Sequence, residues 1–337
     1  MKNMRFVLTG IFKSVWIVPA VLLLAAGADK KGAYNDGSDL FSINHDGKTA
    51  YMDSTGKIVI TTQYEEADNF SEGLAMVKID TRYGYMDMTG EIVIAPKFED
   101  AKSFSEGLAA VCSEGRWGHI NKSGLFAIDP LFEMVESFSE GRAAFQVGGQ
   151  WGFVDTLFNF AIAPSFKYVG SFREGMVSVC MGNKEGYVSK AGKIAIDLQF
   201  DKARDFSEGL AAVNMAGKWG YIDKTGNYVI ELQFDEAWTF SEGLAAVNIA
   251  GKYGYIDKIG KIVIKPQFDF ASEFHEDLAA VQVDKKTGYI DRTGKIVVAL
   301  QFDMSFRFRN GLAWVGGPGL SSGYIDKTGK YIWKLKR

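Results

Sequence analysis

Apolar and polar positions along this chain recur in a fixed register. From residue 39 onward each copy reads as a short apolar run such as LAAV, a small loop, a second run of the form GYID, and a turn such as DKTG. A third run such as KIVI and a connector with spaced aromatics complete it. The first runs begin at Asp39, Gly73, Gly107, Gly141, Gly175, Gly209, Gly243, Asp277 and Gly311, 34 residues apart each time. The phenylalanine of FSEG recurs at Phe70, Phe104, Phe138, Phe172, Phe206, Phe240, Phe274 and Phe308. The one change of length lies in the last copy, where GGPGLSSG adds a residue before Gly323. So strict a period is the signature of a repeat architecture, and it overrides the two or three domains that length alone suggests.

The same period occurs in helical arrays, but helices do not fit here. Each copy carries three or four glycines within 20 residues, and every interior glycine costs a helix about 1 kcal/mol. The runs between turns are short and rich in Tyr, Val and Ile, as strands are. An Asp that caps its own turn, followed by a Gly free to take positive φ, makes DKTG a hairpin loop. Each copy is therefore expected to be a three-stranded antiparallel meander. Prolines at 96, 130, 164 and 266 are expected to end the third strand. The connector, with Phe98, Ala101 and Phe104 three apart, is expected to form a helical turn or tight coil.

One meander is marginal alone. Three aromatic ladders supply what stacking copies can pool. The first is Tyr83, Trp117, Trp151, Trp219 and Tyr253. The second is Tyr51, Tyr85, Phe153, Tyr187, Tyr221, Tyr255, Tyr289 and Tyr324. The third, in the connector, runs from Tyr64 through Phe98 to Phe302. Each ring can bury roughly 150–250 Å2. The expected architecture is all-β, nine repeats stacked as an open twisted array, with a propeller-like ring as the alternative. Propellers typically have 4–8 blades of four strands, and no terminal strand is left over to complete a shared blade.

The segments KWGYIDKTG at residues 218–226 and KYGYIDKIG at residues 252–260 resemble the WG-repeat (KWG-repeat) proteins of bacteria, and the resemblance covers residues 39–337. Some copies depart from the pattern: Glu185, Thr287 and Ser322 stand in the tryptophan slot, Phe158 for the turn glycine and Ser189 for the aspartate. The resemblance implies exported or surface-facing β-repeat binding modules without a common catalytic site.

Composition refines this picture at the N-terminus. Lys2, Arg5 and Lys13 precede the apolar run SVWIVPAVLLL, and Ala26-Gly27-Ala28 fits a small-x-small cleavage site. This is the pattern of a signal peptide, residues 1–28, followed by a linker, residues 29–38, and one repeat domain, residues 39–337. The expected location is periplasmic, cell-surface or secreted, with no membrane contact beyond the signal peptide. Its removal takes three positive charges and changes the formal net charge from −3 to −6. An acidic chain with dispersed basic residues argues against a nucleic-acid partner. Cys112 and Cys180 lie two periods apart, too far to bridge in a linear stack.

Candidate chemistry is sparse. Asp223-Lys224-Thr225-Gly226 and Asp326-Lys327-Thr328-Gly329 match the start of the P-type ATPase phosphorylation motif. A slot filled in so many copies is a turn, because catalysis needs one such aspartate. His45, His119 and His275 fall at different phases, so stacking does not gather them for a transition metal. The glutamates of FSEG read as solvated turn residues. No catalytic residue, metal site or cofactor is expected. Binding residues are sought where an aromatic breaks the repeat. Trp238 and Phe306 occupy a slot held elsewhere by Asp68, Lys102, Glu136, Gly170, Arg204 and Ser272, and Trp314 replaces an alanine of LAAV. The functional expectation is a non-catalytic scaffold for a protein partner, with an envelope carbohydrate or peptidoglycan binder as the alternative. The loops at residues 112–116 and 316–322 would supply selectivity.

Overall fold

The computed structural model describes residues 39–317 and 322–335. The expected signal peptide and linker, and most of the last selectivity loop, lie outside the described residues.

Among the described residues there is no helix, and the strands form nine antiparallel sheets, one per copy. Sheet order follows chain order. The second sheet contains Glu66–Ala67, Leu74–Ile79, Arg82–Asp87 and Ile92–Phe98. Eight sheets have four strands; the first has three, Phe41–His45, Lys48–Met52 and Ile58–Thr61. The three-stranded expectation holds only for that first copy. In the others the connector supplies a two-residue strand, and the expected helical turn is absent. The backbone bonds Trp238 N to Ala246 O and Ser241 N to Leu244 O, both 2.9 Å, carry the pairing on to the Glu-Gly turn. Phe and Ala three apart can line one face of an irregular strand as well as of a helix.

The apolar run of the second strand is continuous because both its faces are buried. Leu74 and Met76 pack into a cluster shared with the third sheet, while Ala75 and Val77 pack into one shared with the first. Nine such clusters join successive sheets, and the ninth joins the last sheet to the first: Phe41, Ile43, Ala50 and Met52 pack with Leu312, Tyr324, Ile332 and Trp333. The open array is thereby overturned and the stated alternative holds: the repeats close as a nine-bladed β-propeller. Among the described residues no strand is exchanged across the seam; packed side chains, with bonds from Arg309 and Tyr324 to the Leu40 and Ser42 carbonyls, join the two blades. Pooling of aromatic area between neighbours is seen throughout: Tyr51, Tyr85, Tyr187, Tyr221, Tyr255 and Tyr289 are fully buried.

The prolines do not end the fourth strand. Ile92–Phe98 runs through Pro96, because the ladder skips there: Tyr85 pairs with Ile94 and Tyr83 with Phe98, leaving the proline in a bulge where no donor is required. The bulge lies against the glycine of the WG pair. A Cβ on Gly84 would stand 2.5 Å from Ile94 O and 2.7 Å from Pro96 N. That glycine is demanded by close backbone approach.

Candidate functional site

The repeated residues that look chemical are occupied in holding the ring. In the DKTG turn, Asp223 Oδ1 accepts from Thr225 Oγ1 (2.6 Å), Thr225 N (2.8 Å) and Asn227 N (3.1 Å). These bonds, the Thr225 hydroxyl foremost, hold its carboxyl below the usual carboxylate range. The turn reading therefore stands. The glutamate ladder differs from expectation, for it clamps one blade to the next. Glu208 accepts from Gly243 N at 3.0 Å and pairs with Lys258 Nζ at 3.0 Å, both in the following blade. Burial alone would raise its pKa, but the Lys258 bond and the Gly243 N–H outweigh it and leave the carboxyl below its usual value. Like-charge repulsion between copies is offset because Glu72, Glu140, Glu174, Glu208, Glu242 and Glu276 each meet their own lysine or arginine, whereas among the described residues Glu106 accepts only the Gly141 N–H at 2.8 Å.

The GYID tyrosine is another blade-to-blade clamp. Tyr221 Oη donates to Trp238 O at 2.7 Å, and Tyr85 Oη to Lys102 O at 2.8 Å. In the third blade this slot holds His119, whose Nε2 meets Glu136 O at 3.0 Å. Its Nδ1 is buried without a hydrogen bond. Burial, and then the nearby Lys102 charge, press its pKa from 6.5 to about 4, against the Glu136 bond that acts to raise it. The folded value lies below the unfolded one, so the unfolded chain takes up the proton first. This contribution to stability is complete above about pH 6.5 and is lost as pH falls through about 4. His119→Tyr is expected to match or exceed wild-type stability at pH 7 and to remove a few kcal/mol of acid sensitivity. Urea unfolding at pH 7 and pH 4.5 measures this; equal losses in both proteins would refute it.

The WG-slot rings are half-buried or buried, Trp219 at 6% and Tyr253 at 8% exposure, so they form no row facing water. Cys112 and Cys180 are buried and unpaired.

Several departures from the repeat gather at the seam between blades nine and one. Arg309 takes the position from which Ser71, Ser105, Ser139, Ser207 and Ser241 each donate to the next blade's phenylalanine carbonyl. Its Nη2 instead donates to Leu40 O at 2.8 Å, and its guanidinium lies 5.3 Å from the Phe41 ring centre. Phe41 itself stands where Ala75, Ala109 and Ala143 stand in other blades. It meets Tyr324 edge-on at 5.2 Å, replacing the contact that Phe240 makes with Tyr221 at 4.8 Å. The sequence in phase with those phenylalanines has Asp36. Beside this seam lies a cavity of about 490 Å3, lined by Phe41, Asn69, Met304, Phe306, Arg307, Arg309, Leu312, Trp314 and Tyr324. A second cavity of about 400 Å3 shares Phe306 and Arg307 with it, and is bounded by Trp238, Phe270, Ser272, Glu273 and His275.

The three residues singled out by sequence thus line two adjoining cavities. Phe306, 55% exposed, borders both and meets Trp314 edge-on at 5.6 Å. Trp238 is half-buried instead of exposed, with the Arg204 guanidinium 4.2 Å over its ring; its slot touches the equivalent slot of the preceding blade. Sequence reasoning missed Phe41, Arg307 and Arg309. Each breaks its slot, alanine, polar neutral or acidic, and serine respectively, and a search for any departure from the repeat would have found them.

A closed ring of nine four-stranded or near four-stranded blades defines a β-propeller-class repeat protein. The family described as WG containing repeat matches residues 50–80, 83–117, 117–151, 151–184, 186–219, 219–253, 253–286 and 288–316, and the chain belongs to that family. No curated protein matches it. Among solved structures it is similar to a eukaryotic initiation factor, with TM-score 0.64 and 12% identity over 88% of this chain and 96% of that one. It is also similar to BamB from Moraxella catarrhalis, with TM-score 0.47 and 10% identity over 74% of this chain and 92% of that one. At such identities the likeness concerns fold alone.

Proposed function

We propose that the protein is an exported, non-catalytic propeller scaffold that binds another protein over the seam face. One observation carries the reading. Residues repeated in every blade are occupied within the ring, whereas the aromatic residues that break the repeat, Trp238, Phe306 and Trp314, border two adjoining cavities. Exposed Phe306, Met304 and Phe270 supply the apolar anchors that interfaces use. Export is supported by the charged, apolar and small-residue order of residues 1–28. The repeated acids have their oxygens engaged by turn N–H groups and lysines, which supports a scaffold over a hydrolase. Buried WG-slot rings support a protein ligand over a stacked sugar.

Capture from a bacterial envelope extract tests this. The full chain is expected to retain a discrete protein, and Met304→Ser combined with Phe306→Ser to lose it with unchanged folding. Retention by both chains alike would overturn the assignment of the surface. Elution by envelope polysaccharide would overturn the assignment of the partner class.

A further inference from the structure

We propose that the cavity walled by Trp238, Phe270 and Phe306 receives the C-terminal residue of the partner protein, an aromatic side chain whose free carboxylate lies on Arg307. This deepens the protein-binding reading and rests on it. The lining comes from the first-strand segments of blades seven, eight and nine, and at about 400 Å3 the cavity is within the range of binding sites. Its aromatic walls are open to a ligand. Phe270 and Phe306 are 41% and 55% exposed, and Phe270 meets Trp238 edge-on at 6.5 Å. Phe270 stands where Glu66, Asp100, Lys202 and Glu236 stand in four other blades, so no repeated contact accounts for it.

Charge selects the ligand. Arg307 is the one cation in a slot held elsewhere by neutral or acidic residues, Asn69, Ser103, Asp205, Thr239 and Glu273 among them. Its guanidinium has no ion pair or hydrogen bond among the described residues. The one carboxylate of the lining, Glu273, is already engaged: it accepts from Thr239 Oγ1 and lies 3.7 Å from His275 Nε2. Ser305 stands where other blades carry alanine or valine, and its buried hydroxyl has no partner in bonding geometry. The Tyr289 hydroxyl beside it is committed to Phe306 O at 2.6 Å. Aromatic walls also attract cations, but Arg307 and the Arg204 guanidinium, 4.2 Å over Trp238, disfavour one here. A carboxylate matches the guanidinium fork. Phe306 and Arg307 are consecutive, so ring and charge are offered one residue apart. An internal Phe-Asp pair in an extended peptide points its two side chains to opposite faces. A terminal aromatic residue carries ring and carboxylate on one Cα, and capture of a chain end is an established mode of peptide recognition.

A fluorescein-labelled GSGSF peptide with a free C-terminus, titrated with the full chain and read by anisotropy, tests the proposal. Saturable binding is expected. It should weaken about tenfold or more when the C-terminus is amidated, when the final phenylalanine becomes serine, and in Arg307→Gln and Phe270→Ser, whose melting temperatures should not change. Absent saturation, equal binding of the amide, or undiminished binding by either variant would overturn it. So would displacement of the peptide by free phenylpropionate at concentrations where unlabelled GSGSF has no effect, which would put a small aromatic acid in the site. Envelope capture that depends on Phe306 while the peptide fails to bind leaves the scaffold reading and removes this one. Peptide binding without any envelope capture keeps this site and removes the envelope partner.

Discussion

Phe41→Ala is expected to cost about 3–5 kcal/mol and to unseal the ring, the largest single-residue effect in the protein. Phe41 is 2% exposed and stands at the one blade interface without a first-strand phenylalanine among the described residues. Its ring fills the volume that Phe70 fills against Tyr51 in the next interface, at 4.6 Å, and carries the Arg309 guanidinium. With alanine, that guanidinium and Tyr324 lose their apolar partner together, and the surrounding backbone is held in strands that cannot collapse into the void. The reciprocal change, Ala75→Phe, should also destabilise, because Phe70 already occupies the space there and an inserted ring overpacks. Guanidinium unfolding and limited proteolysis report both. If Phe41→Ala unfolds at the wild-type midpoint and resists protease equally, the seam does not hold the ring.

The second large effect is Gly220→Ala, expected to cost about 3 kcal/mol. The added Cβ would stand 2.5 Å from Ile230 O and 2.8 Å from the Glu231 carbonyl carbon, both backbone atoms of the adjoining strand. Neither can swing aside as a side chain would, so the fourth strand must lift and loosen Phe234 from its cluster. Gly209→Ala is the control. Its φ is 87° but nothing lies within 4 Å of the new atom, so only backbone strain of about 1 kcal/mol applies. Thermal unfolding should rank Gly220→Ala well below Gly209→Ala; the opposite order would show that dihedral freedom, and not contact, explains the WG glycine.

Much of the fold is legible from periodicity because each blade repeats the same local problem. The DKTG turns, the shared tyrosine ladder and the LAAV strand follow from residue types at fixed offsets. The connector was misread because Phe98, Ala101 and Phe104 suit either a helical turn or an irregular strand, and only pairing with the neighbouring strand decides between them. The glutamates looked solvated because their partners, such as Lys258 for Glu208, lie 50 residues away. Trp238, Phe306 and Trp314 were visible as aromatics that break the repeat. Their adjacency was not, since it depends on how blades seven to nine pack side by side.

By itself the sequence determined the repeat unit, three of its strands and its turns, and the ladders that must be shared between neighbours, because these depend on spacing within about one period. Tertiary structure alone decided that the array returns to its start. Closure depends on the rotation accumulated over nine blade interfaces and on Phe41, Arg309 and Tyr324 joining the last blade to the first. No local pattern encodes that sum, and the seam cavity exists only because of it.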